Sequence, residues 1–147
     1  MKIFHRSLLL ISVAAAALFA GCGSPSPSKT VEKWNSLIES GQTDQAYSLF
    51  ATGATIVDSA SHATEIKGDA IKAELARQAD QLKKNKDAGK PAPVFTIGRE
   101  DLNGDHAEVV TSYKVGEYPQ GRNDFFMVKQ DGVWKIEKID GRGFIFR

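Results

Sequence analysis

Two periodicities divide this chain. Over Thr30–Ser40 the apolar residues Val31, Trp34, Leu37 and Ile38 fall on one face of a helix, and Gly41 follows as a C-terminal stop. Thr43 can cap a second, short helix over Asp44–Ala51 with Ala46, Tyr47, Leu49 and Phe50 inward, ended by Gly53. Ala54–Asp58 reads as a short strand and Ser59–Thr64 as a small, polar loop. A longer helix is predicted over Gly68–Lys86, where Ile71, Leu75, Ala79 and Leu82 make a narrow stripe on an otherwise charged surface.

From Pro93 the period becomes two. Val94–Leu102 and Asp105–Gly116 flank Asn103-Gly104, and Asn123–Gln130 and Val133–Asp140 flank Asp131-Gly132. Asn-Gly and Asp-Gly between alternating runs signal two-residue hairpins. With Glu117–Arg122 as the joining loop, the result is a four-stranded antiparallel meander. That register sets Arg99 opposite Glu108, Asp101 opposite His106, Met127 opposite Ile136 and Lys129 opposite Trp134. One sheet face then carries Val94, Val109, Thr111, Tyr113, Val115, Phe125, Met127, Ile136 and Trp134. The other carries Phe95, Ile97, Val110, Phe126, Val128 and Ile139. Only one face can lie under the helices. The second is expected to need a cover, either intramolecular or a homodimer contact through Phe95, Ile97, Val110, Phe126 and Val128.

The segment before Thr30 follows neither period. Lys2 and Arg6 precede an uncharged apolar run, Ser7–Ala20. A membrane-spanning helix needs about 20 apolar residues, whereas a run of this length suits a signal peptide. The run ends in Leu18-Phe19-Ala20-Gly21-Cys22 and resembles the bacterial lipobox at Ala20, Gly21 and Cys22, with Phe19 in place of the usual Leu. The resemblance implies cleavage after residue 21 and lipidation of Cys22, which anchors the chain to a membrane, since several acyl chains hold where one binds only marginally. Gly23 in the second position of the mature chain implies, for a Gram-negative cell, an outer-membrane protein facing the periplasm. Residues 22–29 hold the lipidated Cys22 and a tether, Gly23–Lys29, in which Pro25 and Pro27 favour extended backbone and whose reach is at most about 25 Å. Residues 30–147 then form a single domain.

Composition narrows the function classes. The 147 residues carry 19 Lys+Arg and 18 Asp+Glu, so no basic excess marks a nucleic-acid binder. A single Cys excludes an internal disulfide framework and a multi-Cys zinc site. No P-loop, GxGxxG, HExxH or CxxC motif is present, so no cofactor and no metal site is expected. Lys83, Lys84, Lys86 and Lys90 cluster at the end of the long helix, where cations suit the helix dipole; a headgroup-binding role competes with a plain solvated face.

The order helix, short helix, strand, long helix, hairpin-rich sheet resembles the nuclear transport factor 2-like, or cystatin-like, α+β cone. The stretches VEKWNSLIESGQTDQAYSLF, AEVVTSYKV and VKQDGVWKIEKI resemble a domain-of-unknown-function family of bacterial lipoproteins, sometimes called lumazine-binding-like. The resemblance implies helices packed on a curved antiparallel sheet of four to five strands, often with a pocket inside. It brings no catalytic motif, and fold alone does not assign activity.

Candidate chemistry is sparse. Trp34, Tyr47, Phe50, Tyr113, Phe125 and Trp134 would line an incompletely filled cone. His106 beside Asp101 reads as a solvated turn pair rather than a catalytic dyad, and His62 lies in a polar loop. Asp101, Asn103 and Asp105 alternate as in a calcium loop but lack its closing Glu. An isomerase- or hydrolase-like enzyme would need an acid and a base converging in the cone; Tyr47 or Tyr113 could donate, and Glu100, on the Tyr113 face, is the one candidate carboxylate. The sequence thus favours a membrane-anchored, non-enzymatic binding or accessory module for a small molecule or a protein partner.

Overall fold

The computed structural model describes residues 24–58 and 64–143. The predicted signal segment, Cys22, His62 and the last four residues lie outside them. Helix α1 (Pro27–Glu39) begins three residues earlier than expected, so Pro27, Ser28 and Lys29 are helical rather than tether. Proline fits the first helical position, where its missing N–H would have no partner anyway. The Ser26 hydroxyl caps the turn by accepting from Lys29 N at 3.3 Å. Thr30, Val31, Trp34, Leu37 and Ile38 form its buried face.

Helix α2 (Thr43–Tyr47) is shorter than predicted, because the chain turns into strand β1 (Phe50–Asp58) where helix was expected. Strand β2 (Thr64–Lys67) pairs back on β1, and helix α3 (Asp69–Asp87) follows. Strands β3 (Pro93–Asn103), β4 (His106–Val115), β5 (Tyr118–Gln130) and β6 (Val133–Gly143) complete the chain. The sheet has six strands in the order β2-β1-β6-β5-β4-β3, with β1 parallel to β6 and the other pairs antiparallel. It is therefore mixed and one strand wider than the four to five antiparallel strands expected. The additional strand is β2, and β1, expected over Ala54–Asp58, begins earlier, at Phe50, where it reaches the free edge of β6.

Two differences in register decide which side chains face the helices. The first hairpin turns on Gly104-Asp105, with Gly104 at φ +61° as the first central residue of a primed turn needs. Pairing moves by two residues: Arg99 lies opposite Val110, and Asp101 opposite Glu108. A bulge between Ile97 and Arg99 then reverses the facing of the strand before it, so Phe95 lies opposite Tyr113 and Ile97 opposite Thr111. The second hairpin has the predicted register at Met127–Ile136 and Lys129–Trp134, and a second bulge beyond it sets Ile139 opposite Phe125. Phe95, Ile97 and Ile139 are thereby removed from the face expected to need a cover. Phe95 and Ile97 pack against the core, and Ile139 is 1% exposed within it. Val94 takes the reverse path and is exposed. What remains of the apolar outer stripe is Val110, Phe126 and Val128, half-buried, with Lys138 Nζ 5.2 Å above the Phe126 ring.

The residues expected to form a joining loop instead continue β5, because Gly116-Glu117 makes a third two-residue turn between Val115 and Tyr118. The core sits between the concave sheet face and helices α1 and α3. Trp34 meets Phe125 edge-on at 5.2 Å between centroids, and Ile71 and Leu75 of α3 complete the cluster with Ile56, Val109, Met127 and Ile136. Among the described residues, no helix is long and apolar enough to cross a membrane.

Candidate functional site

The C-terminal ends of helices α1 and α3 border one cleft, and the space between them is the candidate site. Gly41 at φ +73° and Gly89 at φ +70° carry the left-handed turn that ends each helix. The N–H groups of Gln42 and Lys90 close back on Leu37 O at 2.8 Å and Asn85 O at 2.9 Å. Below these ends lies a cavity of about 60 Å³, lined by Trp34, Asn35, Ile38 and Glu39 of α1, Arg77, Gln78, Gln81, Leu82 and Asn85 of α3, and Pro93 and Tyr113 of the sheet. It holds a few waters or one small functional group. Glu39, Leu82, Asn85 and Pro93 also border an adjoining cleft of about 600 Å³, to which Asp80, Lys83, Lys86 and Lys90 contribute.

The polar lining is held in place along the helices. Asn35 Nδ2 donates to Glu39 Oε1 at 2.8 Å, and Gln81 Nε2 to Asn85 Oδ1 at 3.1 Å. Glu74 accepts from Gln78 Nε2 at 3.0 Å and from both Arg77 Nε and Nη2, at 2.9 and 2.7 Å. That hydrogen bonding holds the Arg77 guanidinium above its ordinary pKa against the opposing effect of burial. Each amide bonded through its NH₂ group keeps a carbonyl for a ligand, so the lining offers acceptors and donors of mixed polarity.

Tyr113 closes the inner end. Burial pushes its hydroxyl above the ordinary phenol pKa; the neighbouring Asn123 amide works against this and the Glu39 carboxylate adds to it. Two buried donors near this end, Trp34 Nε1 and Asn123 Nδ2, have no hydrogen-bond partner in the structure. The Asn123 backbone carbonyl accepts from Thr111 Oγ1 at 3.1 Å.

Of the six aromatic residues expected to line a pocket, Trp34 and Tyr113 line this cavity. Phe125 lies behind Trp34 in the core. Tyr47 and Phe50 stack on each other 6.1 Å apart, with Lys72 Nζ over the Tyr47 ring. Trp134 is buried near the opposite end of the sheet beneath Lys129. Asn35, Glu39, Gln78, Gln81 and Asn85 were not anticipated. Their signal was the run of polar pairs four residues apart flanking each apolar stripe.

The two titratable pairs read from the sequence do not form. Glu100 lies opposite Val109, four residues along β4 from Tyr113, or about 13 Å by strand rise. Its Oε2 accepts from Ser28 N at 2.8 Å at the start of α1. The cone therefore has no acid–base couple between Glu100 and Tyr113. Asp101 is displaced from His106 by the turn and instead meets Arg99 at 2.6 Å, which also reaches Glu108 at 3.4 Å. His106 Nδ1 lies 3.9 Å from Glu137 Oε2, both exposed. Among the described residues, no group of His, Cys, Asp and Glu side chains is arranged to hold a metal ion.

No family model and no curated protein matches the sequence, so the finer likeness to lumazine-binding-like lipoproteins gains no support from them. Solved structures do match. A nuclear transport factor 2-like protein of unknown function from Silicibacter pomeroyi DSS-3 is 17% identical, with TM-score 0.61, covering 80% of this chain and 92% of its own. Another, from Shewanella baltica OS155, is 14% identical, with TM-score 0.58, covering 80% and 90%. A candidate scytalone dehydratase from Novosphingobium aromaticivorans is 15% identical, with TM-score 0.58, covering 80% of each chain. At these identities the likeness establishes architecture and not activity. Helices laid on a curved mixed sheet, shared over four-fifths of the chain, give this protein the nuclear transport factor 2-like fold.

Proposed function

We propose that this chain is a lipid-anchored envelope module that binds a small molecule in the cavity between α1 and α3 and performs no chemistry on it. The observation that carries the reading is the cavity of about 60 Å³ opening beside a cleft of about 600 Å³, with amide and guanidinium side chains around the opening. A ligand places a compact polar group among Gln78, Gln81, Asn85 and Tyr113, and its remainder along Leu82, Pro93 and the lysines of the cleft. The binding reading is preferred to an enzyme because the carboxylate nearest in role to a general base, Glu100, is engaged at the N-terminus of α1. The anchor belongs to the same proposal: Cys22 carries the lipid after cleavage, and Gly23 sends the chain to the outer membrane of a Gram-negative cell.

The test is native mass spectrometry on the full chain extracted from bacterial envelopes. Wild type is expected to retain a small-molecule adduct that Leu82→Trp, which fills the opening, loses. Identical adducts on both proteins, or none on wild type, would contradict the binding reading. The mass of the N-terminal peptide reports acylation of Cys22 in the same preparation.

A further inference from the structure

The start of the described chain is fastened to one end of the cone. The Ser24 hydroxyl donates to Gly132 O in the β5–β6 turn, Pro27 is buried, and Ser28 N donates to Glu100 Oε2 at 2.8 Å. The turns after β3 and β5 lie side by side at this end, tied by Lys129 N to Asp105 O at 2.7 Å. From here α1 runs to Glu39, on the border of the cavity. A helix of this length spans about 20 Å. The chain therefore enters at the hairpin end, and the cavity opens at the other.

We infer that the hairpin end, carrying Leu102, Asp105, Asp131 and Val133, is the surface that faces the bilayer, and that the cavity and the lysine-lined cleft open away from it. The inference rests on the acylation of Cys22 proposed above. Only Gly23 separates Cys22 from the fastened Ser24, a reach of about 7 Å. An acyl anchor so close to Gly132 leaves the hairpin end no room to leave the headgroup region. The surface suits that position: Leu102 is 61% exposed and Val133 43%, both at this end. The exposed charges there are mixed, with Asp105 and Asp131 beside Lys129, so the short link and not attraction to anionic lipid sets the orientation.

This geometry also assigns the lysine cluster. Lys83, Lys86 and Lys90 border the cleft at the far end of α3, about 20 Å or more from the hairpin end by helix length. The Debye length is about 10 Å at 0.1 M salt, so headgroup charge is screened before it reaches them. These lysines face the aqueous compartment, where they meet a ligand arriving from solution rather than one drawn from the anchoring leaflet.

The test uses the full chain produced in bacteria and reconstituted in vesicles containing spin-labelled lipid. Asp105→Cys and Lys86→Cys each carry a fluorophore, and flotation and N-terminal mass report the anchor. Lipid quenching is expected to be at least threefold greater at position 105 than at position 86. An acylated, floating protein with equal quenching at the two positions, or with more at 86, overturns the orientation while leaving the anchor intact. A chain that carries no acyl group and does not float overturns both, and the mass distinguishes this outcome from the first. Circular dichroism of each labelled protein confirms that the fold is retained.

Discussion

Glu100 reaches from β3 to the first turn of α1, where its Oε2 accepts a hydrogen bond from Ser28 N at 2.8 Å. The first backbone N–H groups of a helix have no partner within the helix, and a carboxylate there meets both the open donor and the positive end of the dipole. A residue that parity alone marked as a candidate base is thus a cap supplied by the sheet. It couples helix position to strand register.

Glu100→Ala is expected to lower stability by about 1–2 kcal/mol, in the range of a lost helix cap. Glu100→Gln keeps an acceptor without the charge and should lose about half as much. Urea unfolding midpoints measure both. If neither variant moved the midpoint, the cap would contribute nothing and Glu100 would be free for another role.

The buried Tyr113 hydroxyl makes stability depend on alkaline pH. Its folded pKa lies above the ordinary value of 10.0, so the unfolded chain releases this proton first. Tyr113 thus adds no pH dependence below about pH 10 and costs stability as pH rises past it. Relative to Tyr113→Phe, wild type should lose ground between about pH 9.5 and 11 and hold it at pH 8. Urea midpoints at these pH values give the comparison, and parallel profiles would contradict it.

The bulge at Glu137 in β6 separates Ile139 from Val128, which simple alternation places on the same face. Ile139→Asp buries a charge in the core and should cost about 3 kcal/mol or more. Val128→Asp, on the half-buried outer face, should cost about half that or less. Comparable losses would return both residues to one face. Sedimentation of wild type and Val128→Asp shows in addition whether Val110, Phe126 and Val128 hold a second copy.

Asn123 Nδ2 is buried beside the Tyr113 hydroxyl and makes no well-formed hydrogen bond. Replacing a polar group that has no partner by an apolar one of similar shape is nearly neutral or stabilising. Asn123→Leu should therefore change stability by less than about 1 kcal/mol, read from thermal unfolding of the ligand-free chain. A loss of more than about 2 kcal/mol would mean that the amide is satisfied in solution.

The helices were legible because Val31, Trp34, Leu37 and Ile38, and then Ile71 and Leu75, repeat at helical spacing and end at glycines. Asp131-Gly132 placed the second hairpin correctly because both residues adopt positive φ, as that turn requires. Asn103-Gly104 misled by one position, since Gly-Asp serves equally well when glycine comes first in the turn. The bulges at Gly98 and Glu137 were not legible. Each adds one residue to a strand without leaving a pattern, and each reverses the facing of every residue beyond it. The site suffered most from this, because its polar lining comes from helix flanks whose meeting depends on how α1 and α3 cross the finished sheet. Glu100 shows the same limit: facing the concave side was predictable, but ending beneath Ser28 was not.

The two tryptophans of this chain lie at opposite ends, Trp34 lining the cavity and Trp134 beneath Lys129 near the hairpin turns. Their indole N–H resonances in ¹⁵N-labelled protein therefore report separately on the two ends. A panel of small carboxamides, phenols and carboxylates should include members that saturably shift the Trp34 signal, together with the side-chain amides of Gln78 and Asn85, while Trp134 stays fixed. Leu82→Trp should abolish the shift. Compounds that move Trp134 and leave Trp34 in place, or a panel that never moves Trp34, would contradict a ligand site between α1 and α3.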